Sequence, residues 1–481
     1  MAGILAYGAY VPRLRLQRSA ILQAHAWFNP ALKGVGRGER AVANWDEDAV
    51  TMAVEAARDC VAAADRLQIG TVLLASTSAP FADRQNAGIV KEALNLPDAV
   101  MTIDVAGSQK AGTGALIQAL KTTPGNSSRV LCIASERPRN RPASEGEITS
   151  ADAAGAMLLG EGDAIASFIG SYSYSADFVD HFRSDGKTFD YGWEGRWIRD
   201  EGYVKLAGHA LDQALKLYAI SPGAVTHLIV PIPVKGVGET LARKAGIEPT
   251  ALCDNVQSSL GHAGAAQPLV LLAHALKTAK PGDIIVLLGF GQGCDVLMFE
   301  VTPAILSHRH PVGVDGWLAR RQPETNYLKC LFFAGQLDLE LGMRAELDRK
   351  QPLTALYRNR KTVLSLVGGR CKITGEVQFP RTPISVGAKH AVVGTQEDYP
   401  LADVPAHILT CTSDSLTYTP DPPNHYGMIA FEGGGRMLTE FTDVHADAVA
   451  VGARVRMVFR IKAVDEQRDF TRYFWKATIT H

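Results

Sequence analysis

Short apolar runs alternate with amphipathic, Ala-rich segments from the start of the chain to about residue 303. The apolar runs predict buried strands at Thr71–Ala75, Val100–Val105, Val130–Ala134, His227–Pro231 and Ile284–Leu288. The segments between them have apolar residues at helical spacing and predict helices over Glu47–Leu67, Gly107–Lys121, Tyr203–Tyr218 and Gly236–Ala245. Buried strands that alternate with helices indicate an α/β fold.

The pattern changes after residue 303. Residues 308–323 are rich in Arg, His, Pro and Gly and predict a linker, and Asn326–Leu356 has helical spacing with many charges. From Arg360 onward, apolar and polar residues alternate between turn signals such as Pro420–Pro423, which predicts short strands in a small β-barrel or sandwich. The sequence therefore predicts a domain over 1–303, a linker with connecting helices over 304–359, and a β domain over 360–481.

Charge and cysteine content limit the classes of partner and the cellular compartment that we expect for the protein. Lys and Arg number 49 against 50 Asp and Glu, so we expect neither a nucleic acid nor a membrane surface as a partner. The longest apolar runs, such as Ile284–Phe290, are far shorter than the ~20 residues that a bilayer needs. The opening segment has no basic residue before its apolar stretch and predicts no signal peptide. The seven cysteines form no CxxC pair, which favours a reducing cytoplasm over a disulfide framework.

Two glycine-rich junctions are candidates for the chemistry. DVAGSQKAGTGAL (104–116) follows a predicted strand and opens a helix, so Ser108 and Gln109 lie at an elbow where side chains and helix amides can face a substrate. NVQSSLGHAGAAQPLVLL (255–272), followed by VLLGFGQGCD (286–295), surrounds His262 with small residues. The alternatives are a tight strand-to-helix turn at the first junction and a structural histidine at the second.

Several motifs together resemble a known family. AYGAYVPRLRL (6–16), NWDEDAVTMAVEAA (44–57), QKAGTGAL (109–116) and DAAGAMLLG (152–160) are similar to the thiolase superfamily, in particular to archaeal-like 3-hydroxy-3-methylglutaryl-CoA synthases. YLKCLFF (327–333), LVGGRCKITGEVQFPR (366–381) and YGMIAFEGGGRMLTEF (426–441) resemble OB-fold acyl-CoA-associated proteins. The resemblance implies a five-layered, duplicated thiolase-like α/β fold followed by a small all-β OB-fold domain. It also implies an acyl-CoA substrate, no cofactor other than the coenzyme A of that substrate, and a homodimer formed through the thiolase-like domain.

The catalytic positions depart from those of the resembled synthases. In the frame of the motifs, Gln109 replaces the cysteine nucleophile, Thr77 the glutamate acid/base and Pro231 the histidine. His262 stands at the asparagine position, in a Gly-His context that resembles the thiolase histidine. Without a thiolate at the elbow no acyl-enzyme forms there.

The remaining polar groups predict chemistry through a thioester enolate: aldol or retro-aldol reaction of a β-hydroxyacyl-CoA, or decarboxylation of a β-ketoacyl-CoA. Gln109 is the predicted donor to the carbonyl oxygen and His262 the predicted acid/base, and the predicted substrate contacts are Thr77, Ser108, Pro231 and Cys294. Two alternatives stay open. One is a synthase-like Claisen acyltransferase with another nucleophile, for which Cys294 is the cysteine to check; the other is an inactive acyl-CoA-binding scaffold.

The zinc ribbon that often accompanies such OB-folds is degenerate in this sequence. Cys371 remains, but Thr374 occupies its partner position, residues 382–389 have no cysteine, and His390 has the wrong spacing. The sequence therefore predicts no metal. The HRH segment (308–310) is predicted to be solvated, and the aromatic segment FDYGWEGRWIRDEGY (189–203) to pack in the core and in loops or, as an alternative, to select the substrate.

Overall fold

The computed structural model describes residues 2–61, 63–123, 125, 128–308, 311–387 and 392–480. They divide into two compact units. The first contains Met1–Ala43, Asp48–Gly88 and Pro97–Cys330, and the second contains Asn44–Glu47, Ile89–Leu96 and Leu331–His481. The main division thus falls after Cys330, whereas the sequence predicted boundaries at 303 and 359.

The strands of the first unit form one large mixed sheet, a three-stranded sheet and a hairpin. They are β1 (Ala2–Tyr10), β2 (Leu14–Gln17), β3 (Glu39–Val42), β4 (Ile69–Ala75), β5 (Met101–Val105), β6 (Arg129–Glu136), β7 (Ala153–Glu161), β8 (Ala166–Ser175), β9 (His181–Phe182), β10 (Tyr191–Gly192), β11 (Val225–Ile229), β12 (Ile284–Phe290), β13 (Gly293–Val301) and β14 (Gln322–Glu324). The large sheet has the order β11-β12-β13-β8-β1-β7-β6-β4-β5, the small sheet the order β14-β2-β3, and β9 pairs with β10.

Eleven α-helices of the described residues begin before the division after Cys330. They are α1 (Arg18–His25), α2 (Ala49–Cys60), α3 (Asn86–Ala93), α4 (Ala111–Thr122), α5 (Glu145–Thr149), α6 (Gly195–Trp197), α7 (Gly208–Leu217), α8 (Val237–Ala245), α9 (Gln267–Leu276), α10 (Gly313–Ala319) and α11 (Tyr327–Phe333). A π-helical segment, Ile198–Ala207, joins α6 to α7. In the part of the chain that the structure describes, none of the helices is long and apolar enough to cross a bilayer.

The large sheet shows an internal duplication that the sequence does not display. The order β1-β7-β6-β4-β5 is repeated as β8-β13-β12-β11, and the parallel bridge between Leu228 and Leu252 stands where the second half would have its own β5. The pairings match as well, since β4–β6 and β11–β12 are parallel while β6–β7 and β12–β13 are antiparallel. Each half therefore places one strand-to-helix junction at the same end of the sheet.

Local sequence explains how the elements at the site are held. Asp48 caps α2 through a capping box with Thr51, which satisfies amide groups at the buried helix start. Gly112 lets α4 approach residue 265 closely, because a Cβ at this glycine would lie 2.3 Å from the Ala265 carbonyl oxygen. The junctions before α4 and α9 therefore meet in the middle of the unit.

The five predicted strands are confirmed, with ends shifted by a few residues, although β5 is largely exposed and not buried as predicted. Three other predictions are corrected. The helix predicted to Leu67 ends at Cys60, and a separate 3₁₀ turn follows over Ala63–Gln68. The predicted linker forms helix α10 and strand β14, and β14 pairs with β2 of the first unit. The segment Asn326–Leu356, predicted as helical, is helical only in part. It forms α11, a 3₁₀ turn and the start of a short helix, because Gly335, Gly342 and Pro352 interrupt the helical spacing.

The second unit is mostly β-structure. Two short helices, α12 (Leu353–Arg358) and α13 (Arg360–Leu364), precede the strands β15 (Val367–Cys371), β16 (Val377–Gln378), β17 (Ile384–Ser385), β18 (Val392–Val393), β19 (Gln396–Pro400), β20 (Ala406–Ile408), β21 (Thr412–Asp414), β22 (Asn424–Phe431), β23 (Arg436–Glu440), β24 (Arg454–Asp465) and β25 (Phe470–Ile479). Six of the strands form one sheet, in which β24 and β25 carry the buried Phe459 and Trp475. Buried ion pairs from Arg460 to Glu47 (3.0 Å) and from Lys476 to Asp46 (2.9 Å) bind the 44–47 segment into this unit.

Candidate functional site

Two cavities of the first unit meet at the end of the large sheet. The larger has a volume of about 430 Å³ and the smaller about 320 Å³. Both are lined by the same four residues, Gln109, Asp180, His181 and Asp190. These four residues therefore form a wall that the two cavities share, and a molecule bound in either cavity would contact them.

The elbow before α4 presents Gln109 to this wall. The turn 291–292 between β12 and β13 lies against the elbow, and the Ser108 hydroxyl donates to the Gly291 carbonyl at 3.1 Å. A Cβ at Gly291 would lie 2.8 Å from the Lys110 amide nitrogen, so only glycine allows this approach. From β13, Asp295 accepts hydrogen bonds from the Lys110 ammonium (3.3 Å) and the Thr113 hydroxyl (2.9 Å). The elbow is thus fixed on both sides.

Gln109 is hydrogen-bonded to an Asp–His pair that the sequence analysis did not identify. The Asp180 carboxylate accepts from Nδ1 of His181 at 3.0 Å, and Nε2 of His181 lies 3.0 Å from Nε2 of Gln109. Since Nδ1 carries the hydrogen, Nε2 of the neutral imidazole accepts from the Gln109 amide. The Gln109 Oε1 atom is buried and has no hydrogen-bond partner among the described residues.

Opposing effects determine the proton affinity of His181. Burial lowers the pKa of this histidine, but the hydrogen bond and charge of Asp180, together with the charges of Asp190 and Glu136, outweigh burial and raise the pKa above its usual value. His181 therefore holds a proton more tightly than an unperturbed histidine does, as a group that takes a proton from a substrate should.

His262 lies in the same wall but is in a different chemical state. Its Nε2 donates to the Pro231 carbonyl at 3.1 Å, and its Nδ1 accepts from the Gly264 amide at 3.3 Å. Burial, more than the nearby charge of His181, lowers the pKa of His262 to about 4. Both ring nitrogens are thus occupied in a neutral imidazole. Its predicted role as acid/base stays a prediction, although the geometry favours His181 for that role.

A buried carboxylate lies behind Thr77, at the end of the neighbouring strand β6. Glu136 has no exposed surface, and its Oε2 atom accepts from the Thr77 amide and the Thr77 hydroxyl, both at 3.0 Å. Its Oε1 atom accepts from the Ser78 hydroxyl. Burial raises the pKa of Glu136 in spite of these hydrogen bonds. A carboxylate therefore adjoins position 77, although it comes from another strand.

The structure brings together most of the site residues that the sequence predicted. Gln109, His262 and Pro231 line the larger cavity, and Gln109, Ser108 and Thr77 line the smaller one. Cys294 lies outside both cavities and is fully buried, with its thiol donating to the Asp295 carbonyl at 3.5 Å, and burial raises its pKa to about 12. Among the described residues that line the two cavities there is no cysteine.

Most of the aromatic segment is exposed and not packed in the core: Trp193 is 60% and Trp197 41% exposed, whereas Tyr203 is buried. Trp193 and Tyr203 line the larger cavity, and the Tyr203 ring packs edge-on against Phe290 at 4.8 Å. Trp197 instead stacks on Phe178 at 4.2 Å. Tyr203 belongs to the π-helical segment, an irregularity that is frequent at functional sites.

The second unit retains a trace of the predicted ribbon. The thiol of Cys371 lies 3.1 Å from the Thr395 hydroxyl and accepts from the Thr374 amide at 3.5 Å. Within the described ranges, no three His, Cys, Asp or Glu side chains are placed to hold a metal ion. His390, residues 388–389, and two of the three residues of the HRH segment lie outside the described residues.

Sequence reasoning missed Asp180, His181, Asp190 and Glu136. The first three lie on the hairpin β9–β10 and its flanks, in a stretch without periodic hydrophobicity, so no predicted element placed them. Glu136 had a signal that was not used, because it directly follows the apolar run VLCIAS at the carboxyl end of a buried strand. Charged residues at that position of an α/β sheet are candidates for a site.

Comparisons with known proteins agree with this architecture. Residues 215–298 match the family model "3-Oxoacyl-[acyl-carrier-protein (ACP)] synthase III C terminal", and residues 407–460 match "ChsH2, C-terminal OB-fold domain". The hydroxymethylglutaryl-CoA synthase of Methanopyrus kandleri is 31% identical over 317 residues, 63% of this chain and 88% of the relative. That of Aeropyrum pernix is 30% identical over 356 residues, 73% of this chain and 94% of the relative.

The chain belongs to the hydroxymethylglutaryl-CoA synthase family. Solved structures place its fold accordingly. An HMG-CoA synthase complexed with CoA superposes with a TM-score of 0.60 at 20% identity, over 73% of this chain and 94% of the other. A 3-oxoacyl-[acyl-carrier-protein] synthase III from Aquifex aeolicus superposes with a TM-score of 0.54 at 18% identity, over 62% of this chain and all of the other. The predicted thiolase-like fold followed by an OB-fold domain is thus confirmed.

Proposed function

We propose that this protein is an enzyme that makes or breaks a carbon–carbon bond next to the thioester of an acyl-CoA, by aldol or retro-aldol chemistry and without a covalent acyl-enzyme. One observation carries the proposal: the elbow that bears a nucleophile in the resembled synthases bears Gln109 here, in contact with a histidine that an aspartate orients. An enolate needs a proton carrier and a donor to its oxygen, and these residues supply both.

The arrangement suggests how the substrate activates the base. In the free enzyme, the Gln109 amide donates to Nε2 of His181 and so covers the lone pair that would take a proton. When the thioester oxygen of a substrate accepts this N–H instead, the lone pair on Nε2 becomes available. It can then take a proton from Cα, whose acidity the same hydrogen bond increases. Asp180 holds the ring and stabilises the imidazolium that forms. In this proposal His262 is a positioning residue, because its ring holds the backbone at residues 231 and 264. The proposed substrate contacts are still Thr77, Ser108 and Pro231.

A second candidate is a Claisen acyltransferase like the relatives, which are named hydroxymethylglutaryl-CoA synthases. Their sequence identity to this chain favours formation of the same carbon–carbon bond. The covalent step, however, needs a nucleophile, and Cys294 is buried outside both cavities. We therefore rank this candidate second, with an inactive acyl-CoA-binding scaffold as the remaining outcome of the test.

The test uses acetyl-CoA as the probe. The protein is incubated with acetyl-CoA in D₂O, and mass spectrometry follows deuterium in the acetyl group and any adduct on the intact protein. Deuterium incorporation without an adduct supports the enolate mechanism. A stable acetyl adduct supports the acyltransferase. Saturable binding with neither result supports the scaffold and contradicts both enzymatic proposals.

We propose that a second copy of the chain pairs along β5 to form the homodimer. β5 is the last strand of the large sheet, and Met101 and Ile103 on it are 55% and 39% exposed. An apolar edge strand is a template for pairing with another strand. Replacing both residues with lysine should yield a monomer in size-exclusion chromatography with light scattering. The matched control is Leu306→Lys, at an apolar residue of the same unit that is 76% exposed; a dimer that survives the double replacement would contradict the proposal.

We propose that the protein works without a metal and without a cofactor other than the coenzyme A of its substrate. The only ribbon cysteine in the described residues, Cys371, is hydrogen-bonded to threonine side chains and backbone, where a ribbon needs four ligands. Elemental analysis of protein purified without chelator should give much less than one zinc per chain. One zinc per chain would show that the proposal is wrong.

A further inference from the structure

The buried Glu136 takes no part in the reaction proposed above, and Thr77, whose hydroxyl lies in front of it, is named there only as a substrate contact. Glu136 is fully buried, yet its Oε2 atom receives the hydroxyl hydrogen of Thr77 at 3.0 Å. Thr77 is only partly buried and lines the smaller cavity together with Gln109 and His181. One hydroxyl thus connects a carboxylate that no substrate can reach with a cavity that a substrate can enter.

The hydrogen bonds at this carboxylate define the direction of proton flow. The Thr77 amide also donates to Oε2, at 3.0 Å, so the carboxylate stays in place whatever the hydroxyl does. A threonine hydroxyl has one hydrogen and two lone pairs. Because its hydrogen points at Oε2, the lone pairs of Thr77 are free to accept a hydrogen from a group in the cavity.

We propose that Thr77 relays a proton between the β-hydroxyl group of the substrate and Glu136. This inference rests on the proposed aldol or retro-aldol chemistry and assigns the group that takes the hydroxyl proton. A β-ketoacyl substrate that loses carbon dioxide has no hydroxyl proton to give, so a dedicated acceptor for one favours aldol and retro-aldol chemistry over decarboxylation.

The cleavage direction balances without a further reactant. The β-hydroxyl gives its proton to Oγ1 of Thr77 while the hydroxyl proton of Thr77 passes to Oε2 of Glu136. The Cα–Cβ bond breaks, Cβ and its oxygen become a carbonyl group, and the electron pair of the bond forms the thioester enolate. The enolate then takes a proton at Cα from protonated His181. Proton exchange with water returns Glu136 and His181 to their starting states.

The charges around Glu136 and His181 suit their roles as proton acceptor and proton donor in the cleavage reaction. Burial raises the pKa of Glu136, which makes its carboxylate a better proton acceptor than an exposed one. The Asp180 charge raises the pKa of His181 against the effect of burial, so the imidazolium that the cleavage step consumes forms more readily than in an unperturbed histidine. In that form the ring no longer accepts from the Gln109 amide, and the cleavage step begins with Glu136 as the carboxylate and His181 as the imidazolium.

The experiment separates the two halves of the reaction with two probes. Deuterium exchange of acetyl-CoA needs His181 but no hydroxyl relay. Cleavage of 3-hydroxy-3-methylglutaryl-CoA or 3-hydroxybutyryl-CoA needs both. Thr77→Val removes the hydroxyl and keeps the amide that holds Glu136, so the ratio of the cleavage rate to the exchange rate should fall by about 10²-fold or more relative to wild type. Thr77→Ser should restore cleavage, since it returns the hydroxyl.

Ser78 provides the matched control. Its hydroxyl also donates to Glu136 but lines neither cavity, and it accepts from the Arg137 amide at 2.8 Å. Ser78→Ala should therefore affect cleavage much less than Thr77→Val does.

Three outcomes would overturn the relay: unchanged cleavage in Thr77→Val, an equal loss of exchange and cleavage, or a wild-type protein that exchanges acetyl-CoA and cleaves neither hydroxyacyl-CoA. Absence of exchange in the wild type would instead overturn the proposed function.

Discussion

His181→Ala is expected to slow deuterium exchange of acetyl-CoA by about 10²–10⁴-fold, because the variant loses the group that carries the proton to and from Cα. The structure places this imidazole between the Asp180 carboxylate and the Gln109 amide, at 3.0 Å from each, in the wall of both cavities. The rate is measured by mass spectrometry of the acetyl group. Added imidazole should restore part of the rate, which a purely structural defect would not allow.

The pH dependence of the deuterium exchange rate also tests whether His181 is the base. Exchange needs neutral His181, so its rate should rise with pH through the pKa of this residue, which the Asp180 charge raises. Asp180→Asn removes that charge. The rising limb of the profile should therefore move to lower pH, and the rate on the plateau should fall because the imidazole becomes a weaker base.

Two other histidines test whether the effect is specific. His227 is also paired with an aspartate, Asp283 at 2.9 Å, but lines neither cavity, so His227→Ala should leave the exchange rate near that of wild type. His262→Ala should reduce the rate less than His181→Ala, since His262 is held neutral between Pro231 and Gly264. If His262→Ala abolishes exchange and His181→Ala does not, proton transfer belongs to His262, as the sequence predicted.

The fold could be predicted from sequence because its signals are local and repeated. The five strands that the sequence predicts appear as apolar runs, and the junctions before α4 and α9 have the glycines that close approach requires, as at Gly112. The 326–356 connector is less helical than its sequence predicts, for a physical reason. Its apolar residues have helical spacing, but Gly335, Gly342 and Pro352 interrupt a continuous helix.

The site could be predicted only where it lies on those regular elements. Gln109 and His262 stand at equivalent junctions of the two halves of the sheet, so the motif frame brings them together. Asp180 and His181 lie on a short hairpin whose sequence has no period, and only the folded chain shows that this hairpin reaches Gln109. Glu136 reaches Thr77 because β6 and β4 are adjacent, a pairing between residues far apart in the sequence.

Gln109→Cys is expected to lose the enolate chemistry and to gain a covalent acyl-enzyme. The substitution removes the amide donor to the developing enolate oxygen, a loss typically worth about 10²–10³ in rate. The new thiol would stand at the start of α4 and near Nε2 of His181, two features that lower a cysteine pKa and favour the thiolate. Acetyl-CoA should then leave one acetyl group on the intact protein, detectable by mass spectrometry, whereas the wild type should acquire none.

The controls for this substitution address the covalent alternative directly. Gln109→Ala should lose the same exchange rate without gaining an adduct, since it removes the donor and adds no nucleophile. Cys294→Ser in the otherwise unchanged chain should retain exchange, because the Cys294 thiol is buried away from both cavities and burial raises its pKa to about 12. An adduct on the wild-type protein that Cys294→Ser abolishes would contradict the enolate mechanism. In that case the protein would share the covalent step of an acyltransferase, with the nucleophile moved from the elbow before α4 to strand β13.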